Sequence, residues 1–176
     1  MPTDEQLLAD CQRGNVDAFA LFYDAHVDRV YAFIARRVEH RQAAEDLTST
    51  VFLKALESVT SYRGGSAVAW VFRIARNTVI DHYRTRRVHA DLEAVPQLAG
   101  DDNPARTAEQ RLELERVQRA LDTLTPDQRD LLTLRLWEDL SYADIAALLG
   151  KTEAGCKMAA SRALAALRRL LTSPRT

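Results

Sequence analysis

Gly150 breaks an otherwise helical stretch in two, and any fold of this chain must accommodate that break. From Ser141 to Arg169 the sequence reads SYADIAALLGKTEAGCKMAASRALAALRR. Ser141 stands at an N-cap position with Asp144 three residues on, a carboxylate variant of the capping box, so a helix is expected from about Tyr142. Ile145, Ala146, Leu148 and Leu149 form its apolar face, and Gly150 follows where a left-handed residue stops a helix. Thr152 can cap a second helix, whose apolar side is Cys156, Ala159, Ala160, Ala163, Leu164 and Leu167. The small Ala146 lets the two helices cross closely. The outward side then carries Glu153, Lys157, Met158, Ser161 and Arg162, the arrangement of a recognition helix entering a major groove. Helix, glycine, helix also occurs in domains that touch no DNA. Here the small residue before the glycine, the apolar residue six beyond it and the basic outer face favour a helix-turn-helix. Gly155 costs about 1 kcal/mol relative to Ala inside a helix, but near a first turn it allows close approach of the backbone to phosphate.

Helical spacing governs the rest of the chain too. Val16, Phe19, Tyr23, Val27, Val30, Tyr31, Ile34 and Val38 keep it for about six turns. Ala44, Leu47, Val51, Phe52, Ala55, Leu56 and Val59 repeat it, with Glu45 and Asp46 expected in the first turn, where acids favour the helix dipole. No strand alternation is sustained, so the expected fold is all-α. At 176 residues and 47% apolar content, two small cores fit better than one. The expected organisation is a domain over 1–88, a flexible linker over 89–106 with breakers Pro96, Gly100 and Pro104, and a helix-turn-helix domain over 107–176.

The net charge is only -1, which by itself argues against a generic nucleic-acid binder. Its distribution says more. Residues 73–89 carry five Arg and one Asp, residues 90–104 four acids and no base, and residues 151–176 two Lys and four Arg against one Glu. Two basic patches flanking an acidic linker predict two separate contacts with a phosphate backbone. Cys11 and Cys156 imply no disulfide framework; Cys156, on the apolar side of its helix, reads as a buried thiol rather than a redox sensor. His26, His40, His82 and His89 lack metal-ligand spacing, so neither metal nor cofactor is expected. The N-terminus is not a signal peptide and no apolar run approaches a membrane span, which predicts a cytoplasmic protein without membrane insertion.

The segment SYRGGSAVAWVFRIARNTVIDHYRTRR opens with a glycine loop around Tyr62 to Ser66. It then mixes Trp70, Phe72 and Tyr83 with Arg73, Arg76, Arg84, Arg86 and Arg87. Aromatics interleaved with arginines suit opening DNA, because unstacked bases gain about 1–3 kcal/mol each on aromatic faces while arginines hold the backbone. Trp70, Val71 and Ile74 also fit a core. Asn77, on the side of Arg73 and Arg84, has donors and acceptors to read a base edge.

AEDLTSTVFLKAL at 44–56, AWVFRIARNTVIDHYR at 69–84 and the helix-turn-helix near the C-terminus resemble, in order and separation, the two regions of an extracytoplasmic-function sigma factor of the sigma-70 family. The resemblance implies a non-catalytic specificity subunit of RNA polymerase. Glu45, Asp46, Leu47, Val51, Phe52 and Lys54 would dock on the clamp coiled coil of the core enzyme. The loop from Ser61 to Val68, with Tyr62 and Arg63, and the helix with Trp70, Arg73, Arg76, Asn77 and Arg84 would open the minus-ten element and capture a flipped base. Lys157, Met158, Ser161 and Arg162, with Thr152 and Arg168 on phosphates, would contact the minus-thirty-five element. The linker would thread toward the RNA exit path as an acidic nucleic-acid mimic. Implied partners are promoter DNA, core RNA polymerase and an anti-sigma factor. The chain departs from the family pattern at Ser49 and Thr50, where Gln and Glu are common, and at Gly155, Cys156, Ala159 and Ala160, which predicts weak binding by the second domain alone. Ending at Thr176, it gives no sign of a fused sensor domain. The rival reading is a helix-turn-helix regulator with an N-terminal dimerisation or sensing domain. A helical enzyme using His26 or His82 would need a pocket that nothing in the sequence announces.

Overall fold

The computed structural model describes residues 2–90, 120 and 123–172. The chain divides into two compact units, Met1–Ala99 and Gly100–Thr176, and every described element is helical. The first unit holds α1 (Asp4–Gln12), α2 (Val16–Ala35), α3 (Arg41–Ser58), a 3-10 turn (Val59–Ser61) and α4 (Ala67–Ala90). The second holds α5 (Pro126–Leu136), α6 (Tyr142–Leu149) and α7 (Glu153–Thr172). The division falls inside the stretch expected as linker, nearly all of which lies outside the described residues. At its start α4 runs on through His89 and Ala90, two residues into that stretch.

In the first unit α2 packs on α1, α3 and α4, and α3 packs on α4. Phe22, Phe33 and Phe72 are fully buried, each side chain contributing about 1.5–3 kcal/mol by leaving water. The Phe33 and Phe72 rings meet edge to face at 5.3 Å, an arrangement that aromatic quadrupoles favour. The Arg37 guanidinium closes α2 earlier than Val38. It donates to the Phe33 carbonyl at 2.7 Å, while the Arg37 amide turns to Ile34 at 2.8 Å. The acceptor that would have extended the helix is thereby taken.

α3 begins at Arg41 with His40 as N-cap and has no acid in its first turn. Glu45 and Asp46 therefore stand one turn later than expected, beyond useful reach of the dipole. They pair along the helix instead, Arg41 donating to Glu45 at 2.7 Å and Gln42 to Asp46 at 3.1 Å.

In the second unit α5, α6 and α7 pack on one another. Thr125 and Gln128 form a capping box ahead of Pro126, which needs no amide partner at the first helical position. Arg135 of α5 donates to the Leu140 carbonyl at 3.0 Å and lies over the Tyr142 ring at 5.2 Å, which fastens α6 to α5. Ser141 accepts from the Asp144 amide at 3.1 Å, and its hydroxyl donates to the Asp144 carboxylate at 2.6 Å. Gly150 ends α6 at φ +66°, and the Lys151 amide reaches back to the Ala146 carbonyl at 2.9 Å. That six-to-one bond marks a Schellman stop.

Candidate nucleic-acid interface

α4 starts from a loop that bends twice at glycine, with φ +90° at Gly64 and +88° at Gly65. Those are left-handed values at which a side chain is strained. Ser66 then caps the helix, its hydroxyl accepting from the Ala69 amide at 3.1 Å. Arg73, Asn77 and Arg84 are all exposed. Their spacings of four and seven residues put them on one stripe. Arg76 is half-buried. Arg84 is held to Asp81 at 3.1 Å, an exposed pair that a phosphate can replace at little cost.

Four residues expected at interfaces are instead core. Tyr62 and Trp70 are 8% and 7% exposed, their ring centroids 5.6 Å apart, and the Tyr62 hydroxyl donates to the Gly65 carbonyl. They hold the loop against α4 and have no face left for a base. Val51 and Phe52 are likewise buried, with Tyr23 edge-on to Phe52 at 4.7 Å, so they shape α3 without reaching a partner. The exposed apolar residues of α3 are Leu53, at 62%, and Leu56. Leu53 falls off the periodic apolar face of α3, and that departure is the signal the sequence holds for an exposed apolar side chain here.

Lys54 points toward α4. Its ammonium stands 3.5 Å from the Thr78 hydroxyl and 4.0 Å from Asp81. With Glu57, Ser58, Ile74, Asn77 and Thr78 it lines a shallow open groove between α3 and α4. Lys54 and Asn77, expected to serve different partners, thus share one site. On the rest of α3, Glu45 and Leu47 are half-buried and Asp46 is exposed. The Ser49 and Thr50 hydroxyls donate to the Glu45 and Asp46 carbonyls of their own helix, and Arg63 is exposed in the loop.

On α7 the inner side is Cys156, Ala160 and Ala163, each at most 1% exposed. Ala159, expected on that side, is half-buried beside Leu149 and the start of α5. The small residues let α7 lie close to α5 and α6. Thr152 is an exposed N-cap, accepting from the Gly155 amide at 3.1 Å, and a Cβ on Gly155 would stand 2.9 Å from that oxygen. Glycine here makes room for the cap. Lys157, Met158, Ser161, Arg162 and Arg168 are exposed, with Lys157 paired to Glu153 at 2.6 Å. The exposed Leu136 and Trp137 at the end of α5 were not foreseen.

Both cysteines are buried, and burial raises the pKa of each, which disfavours the thiolate. His26 is buried, bonded to Asp4 at 2.9 Å and packed on Phe22 at 4.6 Å. Burial, with Arg86 nearby, lowers the pKa of His82. Among the described residues no group of His, Cys, Asp and Glu could hold a metal ion, and no helix is long and apolar enough to cross a membrane.

Comparison with known proteins gives two family matches, Sigma-70 region 2 over residues 22–88 and Sigma-70 region 4 over residues 114–167. The ECF RNA polymerase sigma factor BldN of Streptomyces coelicolor is 35% identical over 94% of this chain, which spans 65% of BldN. The RNA polymerase sigma-H factor of Pseudomonas aeruginosa is 35% identical over 83% of this chain and 82% of its own length. Among solved structures, CnrH in complex with the cytosolic domain of CnrY is similar at TM-score 0.69 and 27% identity, covering 96% of both chains. The sigma factor RpoE in complex with the anti-sigma factor NepR from Bartonella quintana gives the same score and identity, covering 89% of this chain and 98% of that one. With both regions matched in order on the same chain, the protein belongs to the sigma-70 family, among the extracytoplasmic-function sigma factors.

Proposed function

We propose that this chain, an alternative sigma factor that gives core RNA polymerase its promoter specificity, divides the work between its two units. The first unit meets the minus-ten element through the 62–66 loop and the Arg73, Asn77 and Arg84 stripe of α4. α3 docks on the core enzyme with its exposed residues, Asp46 and Leu53 among them. Lys54 lies across the groove from Asn77 and serves the DNA side. The second unit meets the minus-thirty-five element through Lys157, Met158, Ser161 and Arg162, with Thr152 and Arg168 on phosphates. Domain limits of 1–88 and 107–176 with a linker between them accord with this division. Chemistry belongs to the polymerase, and the place of work is the cytoplasm, where promoter and polymerase meet. The likeness to a sigma factor solved with NepR supports an anti-sigma partner.

The observation that carries this reading is the exposed stripe of Arg73, Asn77 and Arg84, which runs along α4 away from the capped glycine loop. An amide flanked by two guanidinium groups on that face supplies donors and an acceptor for a base edge and positive charge for the phosphate backbone. Run-off transcription with purified core polymerase on fragments of the source genome tests it. Discrete starts that depend on this chain are expected. A stable dimer that binds a palindrome without polymerase would overturn the reading in favour of a stand-alone helix-turn-helix regulator.

A further inference from the structure

The 62–66 loop is held from outside by α1. The Gln12 side-chain amide donates to two carbonyls at once, Val59 at 2.8 Å and Tyr62 at 2.9 Å. These are the start of the 3-10 turn and the first residue of the loop. Two carbonyl oxygens leave the amide nitrogen as the only end of that side chain that fits, and both its protons are used. At the far side, the Glu5 carboxylate accepts from the Ala67 amide at 3.3 Å. Ala67 is the first residue of α4, and its amide is one of the orphan donors of that helix. A carboxylate there also faces the positive end of the helix dipole.

Both ends of the loop are therefore tied to one helix more than forty-five residues away in sequence. The body of α1 is itself fixed. Leu7, Leu8 and Cys11 are buried, and Asp4 is bonded to the buried His26 of α2 at 2.9 Å. Inside the loop, two consecutive positive-φ glycines offer no stiffness of their own. Its shape is set by its anchors, the Tyr62 contacts with Gly65 and Trp70 from within and the bonds to Gln12 and Glu5 from outside.

We propose that α1 sets the conformation of the 62–66 loop for strand capture, with Gln12 and Glu5 as positioning residues; this rests on the minus-ten reading of that loop. Neither side chain needs to touch DNA. Loosening an anchor leaves the loop in place but spreads its conformations, and a contact surface that wanders discriminates poorly between bases.

The test is selection of open complexes by reconstituted holoenzyme from duplex DNA randomised across the minus-ten region, with core-binding affinity and thermal unfolding measured in parallel. Gln12→Met keeps the length of the side chain and removes both donors. Its holoenzyme should assemble as wild type does, while base preference at a minus-ten position falls at least about fivefold, since two neutral hydrogen bonds, each worth about that factor, no longer hold the loop. Glu5→Ala should act in the same direction. Glu5→Gln, which retains an acceptor for the Ala67 amide, should recover most of the loss. An unchanged preference in folded Gln12→Met overturns the proposal. So does a loss spread evenly over all bases in step with a lower unfolding temperature, since that is the mark of a merely stabilising helix. Arg63→Ala separates the two levels: if it and Gln12→Met both leave selection intact, the minus-ten reading of the loop fails with the proposal. If Arg63→Ala alone flattens selection, only the role of α1 fails.

Discussion

Asn77 shows how much a single residue's meaning depends on its surroundings. It is exposed, sits on the stripe of Arg73 and Arg84, and lines the groove into which Lys54 reaches. An amide there can both donate to and accept from a base edge, while the neighbouring ammonium supplies charge for the backbone. Asn77→Ala should slow promoter opening about tenfold, the cost of one good base contact, and leave duplex binding within about twofold. Permanganate reactivity of the opened strand, followed over time, checks this; an opening rate equal to wild type would reject the assignment. The sequence marked Asn77 as a polar residue with no place in a packed face. The same reasoning left two readings open for Trp70 and put Tyr62 on the DNA side, because an aromatic beside arginines reads alike whether its ring faces a base or another ring. In the structure both are buried, with their rings 5.6 Å apart.

At the scale of elements, helix ends were the most legible feature of the chain. Ser141, Gly150 and Thr152 act within three or four residues of themselves, so their bonds are written into local sequence. Gly150 gives a direct measure. Its φ of +66° is left-handed, and an added Cβ would meet nothing within 4 Å, so the cost of a side chain comes from the backbone alone. Gly150→Ala should destabilise the second unit by about 1–2 kcal/mol. Gly150→Asn should recover part of that, since Asn enters this region more readily. Denaturant unfolding of the two variants checks the order, and equal stability of Ala and Gly would contradict it. The extent of α2 and α3 was less legible. The Arg37 guanidinium shortens one at its C-terminal end, and the start of the other at Arg41 moves Glu45 and Asp46 out of the first turn. Apolar periodicity says which face is buried but carries no signal for either end.

For the whole molecule, the proposed reading divides the contacts with DNA between two basic surfaces on a chain whose net charge is only -1. Binding of the holoenzyme to an upstream element should therefore depend on salt through a few identifiable side chains. Arg162→Ala is expected to lower the slope of log K against log salt by about 0.9 if its guanidinium neutralises one phosphate. Lys157→Ala should do the same. Glu153→Gln, by freeing Lys157 from its 2.6 Å pair, should strengthen binding at low salt. Titrations at several salt concentrations check all three, and an unaltered slope for Arg162→Ala would point to base reading or no contact.

Local chemistry was enough to set the helical class, the glycine stop, the caps, the outward basic faces and the family, because each depends on residues within a turn or two or on motifs in order. Helical periodicity picked out most of the core, and long-range packing decided the apolar and aromatic positions that periodicity leaves open. Periodicity had already put Val51 and Phe52 on an apolar face; packing decided that Tyr62 and Trp70 close over each other while Leu53, Leu56 and Trp137 stay in solvent. It also brought Gln12 and Glu5 to the two ends of the 62–66 loop. Burial and capping in trans depend on what another segment places against a residue, and periodicity does not encode that neighbour.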